Sequence, residues 1–141
     1  MPDIKHAIDI AAPVNVVAAL VTTPAGLGAW WAEDVTTSAR DASVELGFFD
    51  RATVYRLTPE GGDSTARWRV ETGKEWAGTR LVFSLRPEAN KTHLEFAHEN
   101  WTQETPYFTS CNTVWGHLLF RLKEAAERSV RRPFFTKSGT Q

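Results

Sequence analysis

Acid–base chemistry needs a titratable side chain turned toward a protected space, and His98 is the first residue to weigh. It stands two and four positions after Phe96 and Leu94. On an unbroken strand the three side chains therefore share one face. A neutral imidazole there can donate or accept one hydrogen bond, or act as a base near neutral pH. The plainer role, a buried histidine tied to backbone or to a helix side chain, is favoured because buried polar groups are normally paired. Tyr55 is a second acid–base candidate, on a run where Tyr55 and Leu57 share a face. No nucleophile, base and orienting group come together, so no catalytic set is assigned beyond these two candidates.

Other reactive types carry less. His93, Glu95 and Glu99 have the opposite parity to His98 and belong on the solvated side of the sheet. Glu33 and Asp34 follow Trp30-Trp31 and read as solvated loop charges. Cys111 falls on an apolar helical stripe with no basic neighbour within a turn, which describes a buried, inert thiol. Arg128, Arg131, Arg132 and Lys137 form a basic cluster without interleaved aromatic residues, the pattern of a solvated helix end. The single cysteine and the lack of paired ligand spacing give no metal site, and no cofactor is expected.

The aromatic residues are the stronger signal. Six Trp and eight Phe in 141 residues bring large apolar area at fixed shape. Trp30, Trp68, Trp76, Trp101 and Trp115 are candidates for the lining of a ligand site or for core packing. Trp68 and Trp115 lead, since strand parity turns the first inward and a helical stripe the second. A cavity lined by Trp30, Trp68, Phe83, Phe96, His98, Trp115 and Leu119 would take a small hydrophobic or aromatic ligand.

The elements that must position these residues follow from periodicity. Ile4 to Ile10 reads as a first strand ending at Ala11-Ala12-Pro13, and Pro13 opens a short helix through Val21. A second short helix runs from Thr23-Pro24 through Trp30; Gly26 and Gly28 weaken it by about 1 kcal/mol each, so packing by Leu27, Trp30 and Trp31 must hold it. Between Asp34 and Asn100 come five or six short strands with inward sets Val44/Leu46/Phe48, Ala66/Trp68/Val70, Leu81/Phe83/Leu85 and Leu94/Phe96. Turns are expected at Glu60-Gly61-Gly62-Asp63 and at Pro87 to Asn90. From Glu104 to Arg128, Phe108, Cys111, Trp115, Leu118, Leu119, Leu122 and Ala126 recur at three- and four-residue steps, a long amphipathic helix. This order predicts one α+β domain over 1–135, a curved antiparallel sheet wrapped around the long C-terminal helix with two short helices after the first strand, and a mobile tail over 136–141.

Charge and composition narrow the function. Sixteen basic and 17 acidic residues leave a net charge of −1, which provides no field for nucleic acid. The longest apolar stretch, near Val14 to Val21, is far below the roughly 20 residues of a membrane span. With no signal-peptide pattern at Met1 to Ile10, a cytoplasmic location is expected.

Ile8-Asp9-Ile10-Ala11-Ala12-Pro13, Trp30-Trp31, Trp76-Ala77-Gly78-Thr79, the run from Thr92 to Trp101, and Cys111, Trp115, Leu118 and Leu122-Lys123 resemble, in order and spacing, the START/SRPBCC superfamily. The narrower resemblance is to the branch homologous to the activator of Hsp90 ATPase. It covers nearly the whole chain and implies the helix-grip fold. The superfamily spans lipid carriers, cyclases, oxygenase subunits, receptors and co-chaperone domains, so the fold does not select a function. Small-molecule binding is the leading expectation; a cyclase- or hydrolase-type enzyme and a protein-interaction module stay open beside it. Eukaryotic activators carry a further domain ahead of this module, and with the chain opening at Met1 a full chaperone-partner role is not expected. Whether two copies pair as a homodimer stays open.

Overall fold

The computed structural model describes residues 1–61 and 65–140. Strand β1 (Ile4–Ile10) leads through two short helices, α1 (Val14–Thr22) and α2 (Pro24–Trp30), to β2 (Asp34–Thr37), β3 (Val44–Phe48), β4 (Thr53–Glu60), β5 (Thr65–Val70), β6 (Arg80–Glu88) and β7 (Lys91–Glu99), and then to α3 (Pro106–Arg128). The seven strands form one antiparallel sheet in the order β1-β7-β6-β5-β4-β3-β2, curved around α3. The α1–α2 pair carries the chain from one sheet edge to the other, so only that connection leaves the meander. This is the helix-grip arrangement that the order of elements predicts.

Helix starts follow local chemistry. Pro13 holds extended backbone as the N-cap of α1 (φ −62°, ψ 154°), so the helix begins one residue later than the proline. Thr23 and Thr105 cap α2 and α3 by accepting hydrogen bonds from Gly26 N and Phe108 N, each with proline in the first turn. Gly26 is required by close approach: a Cβ there would lie 2.2 Å from Ala19 O. α2 thus survives its glycines through contact with α1, and Leu27 and Trp30 are fully buried.

Two tryptophans finish α1. Trp30 Nε1 donates to Leu20 O at 2.9 Å and Trp68 Nε1 to Val21 O at 2.8 Å. Both indoles thereby satisfy carbonyls in the last turn of the helix, which lack intrahelical partners. The turn expected at Pro87 to Asn90 narrows to Ala89-Asn90, because Pro87 and Glu88 remain in the β6–β7 ladder opposite Thr92 and Lys91. The Glu60-Gly61-Gly62-Asp63 turn lies partly outside the described residues.

Every residue of the expected α3 stripe is buried, joined by Ala125. Beyond α3 the chain returns along α2 and β2: Phe135 N donates to Trp31 O at 2.9 Å, Glu33 N to Phe135 O at 2.8 Å, and Lys137 N to Glu33 Oε1 at 2.8 Å. Residues 136–140 run past Glu33 and Asp50, and Asp50 N donates to Lys137 O at 2.5 Å. No helix among the described residues is long and apolar enough to cross a membrane.

Candidate functional site: an aromatic cavity beneath the C-terminal helix

The inward faces of sheet and α3 meet in two ways. On one side of Trp115 the core is filled: Trp30 meets Phe83 edge-on at 6.2 Å between ring centres, Phe83 meets Phe96 at 5.1 Å, and Phe96 meets Trp115 at 4.3 Å. On the other side lies a cavity of about 290 Å³. Its walls come from the first half of α3 (Tyr107, Cys111, Trp115), from β3 and β4 (Phe48, Tyr55), and from Trp31, Trp76 and Phe135.

Of the residues expected to line a ligand space, Trp76 and Trp115 do, Trp101 is buried outside it, and Tyr55 of the two acid–base candidates does line it. Trp30, Phe83, Phe96 and Leu119 are buried in the filled core. Trp68 is pinned under α1 and borders a separate groove with Val14, Ala18 and Thr22. Parity and helical spacing identify which side chains leave water, but not which part of the interior they fill. Trp31, Phe48, Tyr107 and Phe135 were missed as wall residues. Phe48 had a usable signal in its parity with Val44 and Leu46, and Tyr107 in its place four before Cys111 and eight before Trp115. Phe135, beyond the last periodic element, had none.

His98 is fully buried and stands behind the cavity wall, its ring 4.5 Å from that of Trp76. Trp115 Nε1 donates to His98 Nδ1 at 3.2 Å, and His98 Nε2 lies 2.8 Å from Thr79 Oγ1. An indole N–H can only donate, so Nδ1 must accept and the imidazole proton sits on Nε2. Thr79 Oγ1 in turn donates to Trp76 O at 2.6 Å. Burial drives the His98 pKa down to about 3, so the ring is neutral and both its nitrogens are occupied. This geometry suits a structural tie between β7, the β5–β6 loop and α3, and offers no free base.

The polar atoms that do reach the cavity are uncharged. Tyr55 and Tyr107 share a hydrogen bond between hydroxyls at 2.6 Å, and the Tyr55 ring stacks on Trp76 at 4.3 Å and 8°. Burial raises the pKa of both phenols, and that of Tyr107 is raised further by its bond to Tyr55. Burial likewise raises the Cys111 thiol. No Asp, Glu, Lys, Arg or His is among the described residues that line the cavity.

The remaining candidates lie elsewhere. Asp34 accepts from Arg51 Nη1 at 2.7 Å and Glu33 accepts from Lys137 N, neither facing the cavity. Glu95 and Glu99 are on the outer sheet face, with His93 beside Asp9 at 2.7 Å and Glu95 at 3.2 Å. Asp9, Glu88 and His93 bring three ligand-type atoms within 4.8 Å of one another on that face. The hydrogen bond to Asp9, with that to Glu95, raises the His93 pKa. In the basic cluster, Arg132 pairs with Glu124 at 2.9 Å and Arg131 donates to Ala25 O at 3.2 Å.

Comparison with solved structures bears on this architecture. A solution structure of the Aha1 dimer from Colwellia psychrerythraea superposes with a TM-score of 0.78 and 28% sequence identity, covering 90% of this chain and 97% of that one. The chain has an Aha1-like START/SRPBCC fold. A START superfamily protein from Mycobacterium smegmatis superposes with a TM-score of 0.67 at 12% identity, covering 91% and 99% of the two chains. A protein from Bacillus halodurans does so at 0.70 and 19%, covering 90% and 98%. At these identities the last two speak for the START/SRPBCC fold alone. No protein-family model matches the sequence, and no curated protein does.

Proposed function

We propose that the chain binds a small apolar or aromatic molecule in the cavity between the sheet and α3. The observation that carries this reading is the wall itself, made of Trp31, Phe48, Tyr55, Trp76 and Trp115 with no charged side chain. Ligand sites are mostly apolar with a few placed polar groups, and the tyrosine hydroxyl pair supplies these. At about 290 Å³ the space stands at the small end of the roughly 300–1,000 Å³ range of such sites, so the ligand is small. Binding is favoured over acid–base catalysis because His98 has both ring nitrogens engaged.

The test is native mass spectrometry of protein purified from its own host, before and after denaturation. A bound mass released on denaturation is expected. A clean mass, together with no thermal shift across a panel of aromatic and lipid compounds, overturns the reading.

A second reading, self-association, is supported by the dimer formed by the Colwellia protein and by Phe120, which is 65% exposed on α3. Light scattering across a dilution series tests it: a constant monomer mass removes this reading, and a dimer that Phe120→Ser dissociates supports it.

A further inference from the structure

We infer that the cavity selects an uncharged, flat aromatic of about two fused rings carrying one hydroxyl, which docks at the Tyr55–Tyr107 hydroxyl pair. This rests on the binding reading above and names its ligand class.

Size comes first. An apolar cavity of about 150 Å³ accepts benzene. The cavity here, at about 290 Å³, is close to twice that and accommodates a second fused ring. Shape follows from the rings that bound it. Tyr55 and Trp76 are parallel to within 8°, and Trp76 and Trp115 to within 16°. Stacked at 4.3 and 6.1 Å between ring centres, these rings join Phe48 and Phe135 in an aromatic lining, which another aromatic ring can meet edge-on or offset-stacked.

Charge is selected against. A carboxylate or ammonium entering this space would lose its water with no counter-charge to meet it. The lining tyrosines and Cys111 give no help, since burial keeps each in its neutral form.

The hydroxyl follows from bookkeeping at the tyrosine pair. One phenol donates to the other at 2.6 Å, and beside the pair stands the Cys111 thiol, a weak hydrogen-bond partner that a ligand hydroxyl can displace from the remaining O–H. The ligand hydroxyl can accept from that O–H and donate to a phenol lone pair. The same two side chains also line a groove on the outer surface with Lys74 and Glu75, and Tyr107 is 40% exposed. The pair therefore stands between the cavity and that groove, and the ligand hydroxyl meets it from the cavity side, away from Lys74 and Glu75.

Calorimetric titration of the full chain with naphthalene, 2-naphthol and 2-naphthoate near neutral pH tests this. The expected result is that 2-naphthol binds roughly five- to tenfold tighter than naphthalene, as one net hydrogen bond provides, and that 2-naphthoate binds more weakly than either. In Tyr55→Phe and in Tyr107→Phe the ratio of naphthol to naphthalene affinity should fall toward one. Each ratio is taken within one protein, so altered stability of a variant does not imitate the effect. Equal affinity for naphthol and naphthalene in the unmodified chain overturns the hydroxyl assignment while leaving cavity binding intact. A preference that survives in both variants overturns the tyrosine assignment and points to Thr53 or Ser110, whose hydroxyls also line the space. Tight binding of 2-naphthoate overturns the selection against charge. No binding by any of the three overturns this inference; if a different bound mass is then released from host-purified protein, the binding reading stands without it.

Discussion

Trp115 Nε1 donates to His98 Nδ1 at 3.2 Å, and this one bond sets the tautomer of a fully buried imidazole. It also ties the middle of α3 to β7 at the boundary between the filled core and the cavity. The histidine most suggestive of chemistry in the sequence is thus part of the frame that holds the cavity wall.

The pH dependence of stability should report that role. His98 has its pKa lowered from 6.5 to about 3 in the folded chain. Above pH 6.5 both folded and unfolded chains are neutral at this site, and nothing changes. As pH falls below 6.5 the unfolded chain takes up a proton that the folded chain refuses, so stability declines until the folded value near 3 is reached. Between pH 7 and pH 5 the loss should be about 2 kcal/mol. Urea unfolding at the two pH values should show this extra loss in the unmodified chain and not in His98→Gln. The difference between the two proteins removes the opposing contribution of His93, whose pKa is raised.

Replacing Trp115 by Phe keeps an aromatic ring and deletes the donor, leaving His98 Nδ1 without its partner. The expected cost is about 1–3 kcal/mol. In a double-mutant cycle with His98→Gln the two changes should be less than additive, with a coupling of at least about 0.5 kcal/mol. Additive losses would mean that the bond contributes nothing of its own.

Gly73→Ala should damage the cavity from behind. Gly73 has φ +119°, and a Cβ there would lie 2.6 Å from Tyr55 Cε1. The substitution strains the backbone and pushes the Tyr55 ring off Trp76, at a cost of about 1–3 kcal/mol in chemical denaturation. Ligand affinity should fall with it. A fully stable variant with unaltered binding would show that the loop moves freely.

Val114→Phe should occupy the space without breaking the fold. Val114 lines the cavity from α3 and is only partly buried. Added ring volume there enters empty space, so stability should change by less than about 1 kcal/mol, below the usual cost of overpacking. Binding of an aromatic probe should weaken at least tenfold by calorimetry. Undiminished binding would place the ligand elsewhere.

Much of the fold was legible in the residue pattern. The α3 stripe from Phe108 to Ala126 and the inward sets on β3, β5, β6 and β7 are local periodicities, and all their residues are buried except Ala66 and Leu85, which are partly buried. The site was less legible. Trp30, Phe83 and Trp115 all turn inward and look equivalent in sequence, yet the first two fill the core and the third also borders the cavity. Phe135 lies after the last periodic element and reaches the cavity only because Phe135 N bonds to Trp31 O, 104 positions away.

The sequence by itself determined the class of fold, the faces of its elements and the uncharged, aromatic character of its interior, because these depend on alternation and spacing over a few neighbours. Only the tertiary structure decided where the interior stays unfilled, which hydroxyls meet at its mouth, and that His98 has both nitrogens committed. Unfilled volume is what remains after side chains from α2, β3, β4, β6, β7, α3 and the C-terminal segment have met. That remainder is a property of their joint packing and of no single stretch of chain.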